Sequence, residues 1–189
     1  MTLAMPSPSR LAPFPPERPD RMQAPASLAG CGIALRALRE DDLPWLRDLY
    51  ANTREEEMAQ VSWPDAHRRA FLDQQFEAQH RHYLQVHAGA DFLAVCDERG
   101  PLGRLYLLRS PPDHLLVDIS LFPAARGRGF GASLIGAAQQ DAAVRGCGMT
   151  LHVLQQNTAA RRLYERLGFV ATEAAFPYLR MDWPAQSVS

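Results

Sequence analysis

The chain has 189 residues, 47% of them hydrophobic and 22% charged, with a formal net charge of −1; that length suits one domain with a sizeable core and is too short for two ordinary ones. A near balance of 20 basic and 21 acidic residues argues against a nucleic-acid binder that relies on a basic face. No apolar run approaches the roughly 20 residues of a membrane helix, and the first ten residues lack the charged head and apolar core of a secretory signal.

Residues 1–30 hold seven of the fifteen prolines and show no apolar periodicity, which predicts a mobile tail ahead of a domain over residues 31–185. A short alternating run at 33–37 predicts the first strand. Asp41 or Asp42 then caps a helix through about Asn52, with Pro44 in its first turn. Residues 53–59, TREEEMA, link it to a second helix over about 64–83, where Ser62 and Asp65 have capping-box spacing. His80, His82 and His87 lie close in sequence, but 80 and 82 project from different sides of a helix, and no metal site is expected.

Strands are predicted at 92–96 and 102–108, joined by a turn at 97–100, and at 115–122. A helix follows at 132–145, a strand at 149–154, and a helix at 158–167 with Asn157 at its N-cap and Gly168 as its left-handed stop. Residues 169–172 and 178–183 close the chain as strands. The order β α α β β β α β α β β describes a mixed α/β sheet with packed helices.

The most informative stretch runs from residue 115 to 145, LLVDISLFPAARGRGFGASLIGAAQQDAAVR, where an apolar strand passes into an Arg- and Gly-rich loop that opens an Ala-rich helix. Gly127, Gly129 and Gly131 permit positive φ and close ligand approach. The orphan N–H groups and the positive dipole end of the helix attract an anion. Arg126 and Arg128 add charge for phosphate oxygens. All 20 basic residues are Arg, and the absence of Lys excludes a Walker-type phosphate loop and a Lys Schiff base to pyridoxal phosphate. The spacing also departs from the GxGxxG of dinucleotide sites. Cys31, Cys96 and Cys147 have no CxxC spacing and read as reduced thiols of a cytoplasmic protein.

Arg126 begins the pattern Arg-x-x-Gly-x-Gly, Asn157 follows Gly131 by 26 residues, and Tyr164 and an LGF at 167–169 come next. This combination resembles the GNAT superfamily of acyl-CoA-dependent N-acetyltransferases over residues 31–183. TREEEMA, the Trp-Pro at 63–64 and QFEAQHRHY at 75–83 also look like a bacterial branch of it, one that implies no substrate.

The resemblance implies a mixed, mostly antiparallel sheet of six or seven strands splayed into a V, with helices on both faces. It implies that acetyl-CoA lies in the opening. The peptide groups of Ile119, Leu121 and Phe122 would then pair with the pantetheine arm or hold the thioester carbonyl beside a β-bulge. Arg126, Gly127, Arg128, Gly129, Phe130 and Gly131 would bind the pyrophosphate, and the Asn157 side chain the pantetheine. Tyr164 matches the tyrosine that protonates the departing thiolate, and a phenol's unperturbed pKa near ~10 suits an acid.

For the base, Asp118 is the first candidate, with Glu55, Glu56 and Glu57 as rivals or a water chain instead. The expected reaction is direct acetyl transfer, in a ternary complex without a metal, to a primary amine of a small molecule or peptide. A longer acyl donor and a non-catalytic acyl-CoA-binding sensor stay open, as does the choice between monomer and homodimer. No nucleic acid or membrane partner is expected.

Overall fold

The computed structural model describes residues 11–185. In chain order the helices are α1 (Ala26–Ala29), α2 (Leu43–Thr53), α3 (Glu55–Met58), α4 (Asp65–Val86), α5 (Phe130–Val144) and α6 (Thr158–Arg166). The strands are β1 (Ala34–Ala37), β2 (Asp91–Asp97), β3 (Gly100–Leu108), β4 (Asp113–Leu121), β5 (Gly148–Leu154), β6 (Val170–Ala175) and β7 (Tyr178–Trp183). The described residues divide into a unit of 11–15 with Arg39–Ala88 and a unit of Pro16–Leu38 with the remainder from Gly89.

In the first unit α2 and α4 bury Leu46, Leu49, Tyr50, Leu72 and Phe76. Arg47 bonds Glu77 at 2.8 Å and Arg69 bonds Asp48 at 2.7 Å across the pair. The helix expected from Asp41 or Asp42 is preceded by a 3-10 turn over Glu40–Asp42. There the Asp42 carboxylate accepts from Arg39 N–H and Trp45 Nε1 rather than capping α2. The TREEEMA link contains the short helix α3. The capping box expected at Ser62 is absent, because α4 begins at Asp65 after Pro64, whose ring offers no capping oxygen. His80 is buried, stacked on Phe76 and edge-on to Phe14, with Nε2 3.1 Å from the Ala12 carbonyl.

The second unit holds a seven-stranded sheet of order β1-β2-β3-β4-β5-β7-β6. Every neighbouring pair is antiparallel except β4 with β5, and that parallel pair is bridged by α5, as its connection requires. Leu134, Ile135, Ala138 and Ala142 of α5 pack with Leu93, Val95, Leu105, Leu107, Met149 and Leu151 of the sheet.

Residues 16–30 correct the expectation of a mobile tail. Met22 and Leu28 belong to this same core, Arg18 donates to the Gly89 carbonyl at 2.7 Å, and the Met22 N–H bonds Asp91 Oδ2 at 3.0 Å. A Pro-rich segment without periodicity is thus ordered by what it docks on. Residues 1–10 lie outside the described residues.

Asp91 and Arg109, whose side chains are 1% and 3% exposed, pair at 2.9 Å. Beside them the buried His114 places Nδ1 3.7 Å from Asp141 on α5. Burial pushes this imidazole below its ordinary 6.5; Asp141 and Asp113 oppose that shift, and Arg145 and Arg109 reinforce it. A depressed folded pKa means that stability is complete above pH ~6.5 and falls as pH drops through the folded value, because the unfolded chain takes up the proton first. Melting temperatures of wild type and His114→Gln, measured between about pH 7.5 and 5, are therefore expected to diverge. The wild type should lose more, and parallel curves would contradict this account.

Candidate active site

β4 and β5 pair over only four positions, from Asp113 with Gly148 to Leu116 with Leu151. Yet β4 continues to Leu121 and β5 to Leu154, so the strands part beyond Leu116. The parting begins at a bulge. On the other edge of β4 the register steps from Leu107 with Leu116 to Tyr106 with Asp118, leaving Val117 as an extra residue that turns the strand.

Past the bulge, the Phe122 N–H donates to the Leu102 carbonyl of β3 at 2.9 Å. Since peptide groups alternate in direction along a strand, Ile119 and Leu121 turn their N–H and C=O groups toward the gap. Arg126 Nε donates to the Leu121 carbonyl at 2.8 Å, which fits that direction. Of the three peptide groups expected to face a ligand, the Phe122 N–H is corrected: it is bonded to β3.

Beyond β4 a 3-10 turn at Pro123–Ala125 leads into the loop. Gly127 and Gly129 adopt φ of 70° and 80°, the left-handed conformations that glycine alone takes easily. α5 starts at Phe130, two residues earlier than expected, with Gly129 as N-cap. The bond from Ser133 N–H to Gly129 O closes its first turn, so the N–H groups of Phe130, Gly131 and Ala132 precede any intrahelical partner. Arg128 lies over the Phe130 ring at 4.6 Å, which holds its guanidinium at the helix start. This backbone cradle and the parted strands fit a phosphate-terminated, extended ligand.

α6 carries two further expected residues. Asn157 caps it by accepting from Ala160 N–H at 3.1 Å, which leaves the side-chain amide N–H₂ to donate elsewhere. Tyr164 is 9% exposed and packs edge-on against Phe169, 5.9 Å between centroids. Burial, with the Asp118 charge adding to it, pushes its phenol up to about 12.

Asp118 is held differently from a free base. Arg104 Nε and Nη2 reach its two oxygens at 3.1 and 2.9 Å, and Ser120 Oγ donates to Oδ1 at 2.8 Å. Arg104 is almost fully buried and also lies 5.0 Å over the Tyr106 ring. Two guanidinium N–H groups and one hydroxyl thus converge on this carboxylate. Arg104 was missing from the sequence reading. Its signal was the lone cation of one apolar strand and an anion, Asp118, in the apolar middle of the strand paired with it.

Glu55, Glu56 and Glu57 lie on α3 of the first unit, where Glu57 pairs with Arg54 at 2.9 Å. Among the described residues, no three His, Cys, Asp or Glu side chains gather as metal ligands, and no helix is long and apolar enough to cross a membrane.

Residues 45–169 match the acetyltransferase (GNAT) family. Over 101 residues the chain is 33% identical to the peptidyl-lysine N-acetyltransferase YjaB of Salmonella typhimurium, a match covering 49% of this chain and 64% of that relative's length. The fold is similar to that of the PaiA N-acetyltransferase of Thermoplasma acidophilum, solved in complex with coenzyme A. The TM-score is 0.63 at 17% identity, covering 80% of this chain and 98% of the other. It is also similar to spermidine N-acetyltransferase of Vibrio cholerae, solved with CoA and spermine, at a TM-score of 0.55 and 22% identity over 82% and 96% of the two chains. The chain belongs to the GNAT family of acetyltransferases.

Proposed function

We propose that this protein transfers the acetyl group of acetyl-CoA directly to a primary amine within a ternary complex. The observation that carries the reading is the parting of β4 from β5 directly upstream of the glycine cradle on α5. An extended thioester would lie along the gap with its pyrophosphate on the helix N-terminus. The thioester supplies an activated acyl carbon. The Ile119 peptide groups and the Leu121 N–H hold the arm and its carbonyl, the Leu121 carbonyl being bonded to Arg126, and N–H donors there stabilise the negative charge that develops on the carbonyl oxygen. Asn157 binds the arm through its side-chain amide.

As the C–N bond forms and the C–S bond breaks, the amine gives its proton to water and Tyr164 gives one to the departing sulfur. Solvent then reprotonates the phenol. With its pKa pushed up to about 12, Tyr164 carries that proton throughout the neutral range.

The acceptor reading rests on relatives. A lysine side chain of a peptide comes first, since the peptidyl-lysine enzyme shares 33% identity over its matched region, and a polyamine second. Free thiols at Cys31, Cys96 and Cys147 and a CoA donor suit a cytoplasmic setting. Incubation with acetyl-CoA and a panel of lysine peptides and polyamines, followed by thiol release and product mass, tests the reading. Acetylated product with stoichiometric thiol release is expected. Tight acetyl-CoA binding without consumption of any amine would leave a non-catalytic sensor. No rise in melting temperature with acetyl-CoA would remove the donor assignment.

A further inference from the structure

We infer that Arg104 and Asp118 act as one positioning pair that fixes the free half of β4 against the acyl donor, and that Asp118 is not the base. The inference rests on the donor reading above and adds a role for two side chains that touch neither reacting atom.

The free half of β4 needs such a device. Past Leu116 it has lost its β5 neighbour, and the Val117 bulge shifts its register with β3 by one residue. A strand edge with one neighbour and a bulge at its root would swing, and its peptide groups would lose their aim. The ties that prevent this converge within three residues. Arg104 grips both Asp118 oxygens from β3, at the first β4 position past the bulge. Ser120 Oγ bonds the same carboxylate and locks the next outward residue to it. Gly103 lets β3 approach so closely that a Cβ there would lie 2.1 Å from the Ser120 carbonyl oxygen. Ile119 sits between Asp118 and Ser120, and its peptide groups face the gap.

The chemistry of the pair favours positioning over proton transfer. Its two parallel N–H···O bonds set angle as well as distance, which a single hydrogen bond does not. Both carboxylate oxygens are already acceptors, Oδ1 to Arg104 Nε and Ser120 Oγ and Oδ2 to Arg104 Nη2, so the carboxylate is oriented toward β3 and Ser120. Burial strengthens the grip: the Arg104 side chain is 4% exposed and that of Asp118 12%. Asp118 also acts on Tyr164, whose phenol its charge helps to keep protonated.

The test compares Asp118→Asn, Arg104→Lys and the double variant with wild type, reading kcat, the two KM values, the pH profile and acetyl-CoA affinity by calorimetry. Arg104→Lys keeps the charge but removes the fork, and circular dichroism checks that each variant folds. A displacement of about 1 Å at a reacting centre is enough to lower kcat/KM by about 10²-fold. Losses of that order are expected for both single variants, with a raised KM for acetyl-CoA, an unchanged KM for the amine and weaker acetyl-CoA binding. The double variant should be no worse than the singles, since both remove the same tie.

The acidic limb of the pH profile should survive in Asp118→Asn. Its disappearance, with Arg104→Lys near wild type, would make Asp118 the base and overturn the inference, as would equal effects on both KM values or no effect at all. If Asp118→Asn does not fold, acetyl-CoA affinity of Arg104→Lys decides alone: unweakened binding overturns the inference. A wild-type chain that neither binds nor consumes acetyl-CoA overturns the donor reading itself and is recognisable before any variant is made.

Discussion

Tyr164→Phe is expected to lower kcat by about 10²- to 10⁴-fold, the range that a positioned general acid contributes, while leaving the KM for acetyl-CoA within about twofold of wild type. The ring has packing reasons to stay where it is. It is buried, it meets Phe169 edge-on at 5.9 Å, and it sits on α6, whose start Asn157 caps. Phenylalanine fills the same volume and loses only the hydroxyl, so the loss should appear in turnover and not in folding. Full turnover by the variant would reduce Tyr164 to a core aromatic.

The same substitution has a stability signature of opposite kind. The folded phenol, pushed up to about 12 from an ordinary 10.0, holds its proton more tightly than the unfolded one. Wild type therefore carries its full stability below pH ~10 and loses part of it as pH rises toward ~12. Tyr164→Phe has no such proton, so above pH ~10 its unfolding midpoint should fall less steeply than that of wild type. The two readouts separate the acid from the aromatic: one follows the proton in catalysis, the other the burial of the ring.

What could be read from the chain was whatever had a local cause. Gly127 and Gly129 announce left-handed turns because few other residues tolerate them, and both adopt φ near 70–80°. Asn157 ahead of an amphipathic run announces α6, and the alternation over 178–183 gives β7 at the expected residues. What could not be read had a distant cause. Residues 16–30 have no periodicity of their own, and their order comes from Asp91 and Gly89, about seventy residues along the chain. Arg104 looked like one charge in an apolar strand, because its meaning depends on the register with β4, which the Val117 bulge shifts. The partner of Asp118 is set by the same register. Phe122 was grouped with Ile119 and Leu121 because sequence position alone does not say which way a peptide group turns.

Gly103 is where the register has its largest expected effect on stability. It faces Leu121 across β3 and β4, and a methyl group there would lie 2.1 Å from the Ser120 oxygen, 2.7 Å from Leu121 Cδ2 and 2.8 Å from Leu121 Cα. Two of those three atoms are backbone, so no rotamer change relieves the clash. The strands must move apart where β4 has no neighbour on its other side, taking with them the Arg104–Asp118 bonds and the Phe122 to Leu102 bond. Overpacking that displaces backbone costs about 1–3 kcal/mol, and at the upper end, where an atom meets backbone, this lowers the Tm of a chain of this size by roughly 6–12 °C. Gly103→Ala should also raise the KM for acetyl-CoA, since the displaced strand is the one proposed to carry the donor. Gly136→Ala in α5 is the contrasting case, because nothing lies within 4 Å of the added methyl and alanine gains about 0.5–1 kcal/mol over glycine inside a helix. Thermal melts of the two variants beside wild type should therefore move in opposite directions. A Gly103→Ala chain that melts with wild type would show that β3 and β4 do not approach as closely as this register requires, and the support argued for the free edge of β4 would fall with it.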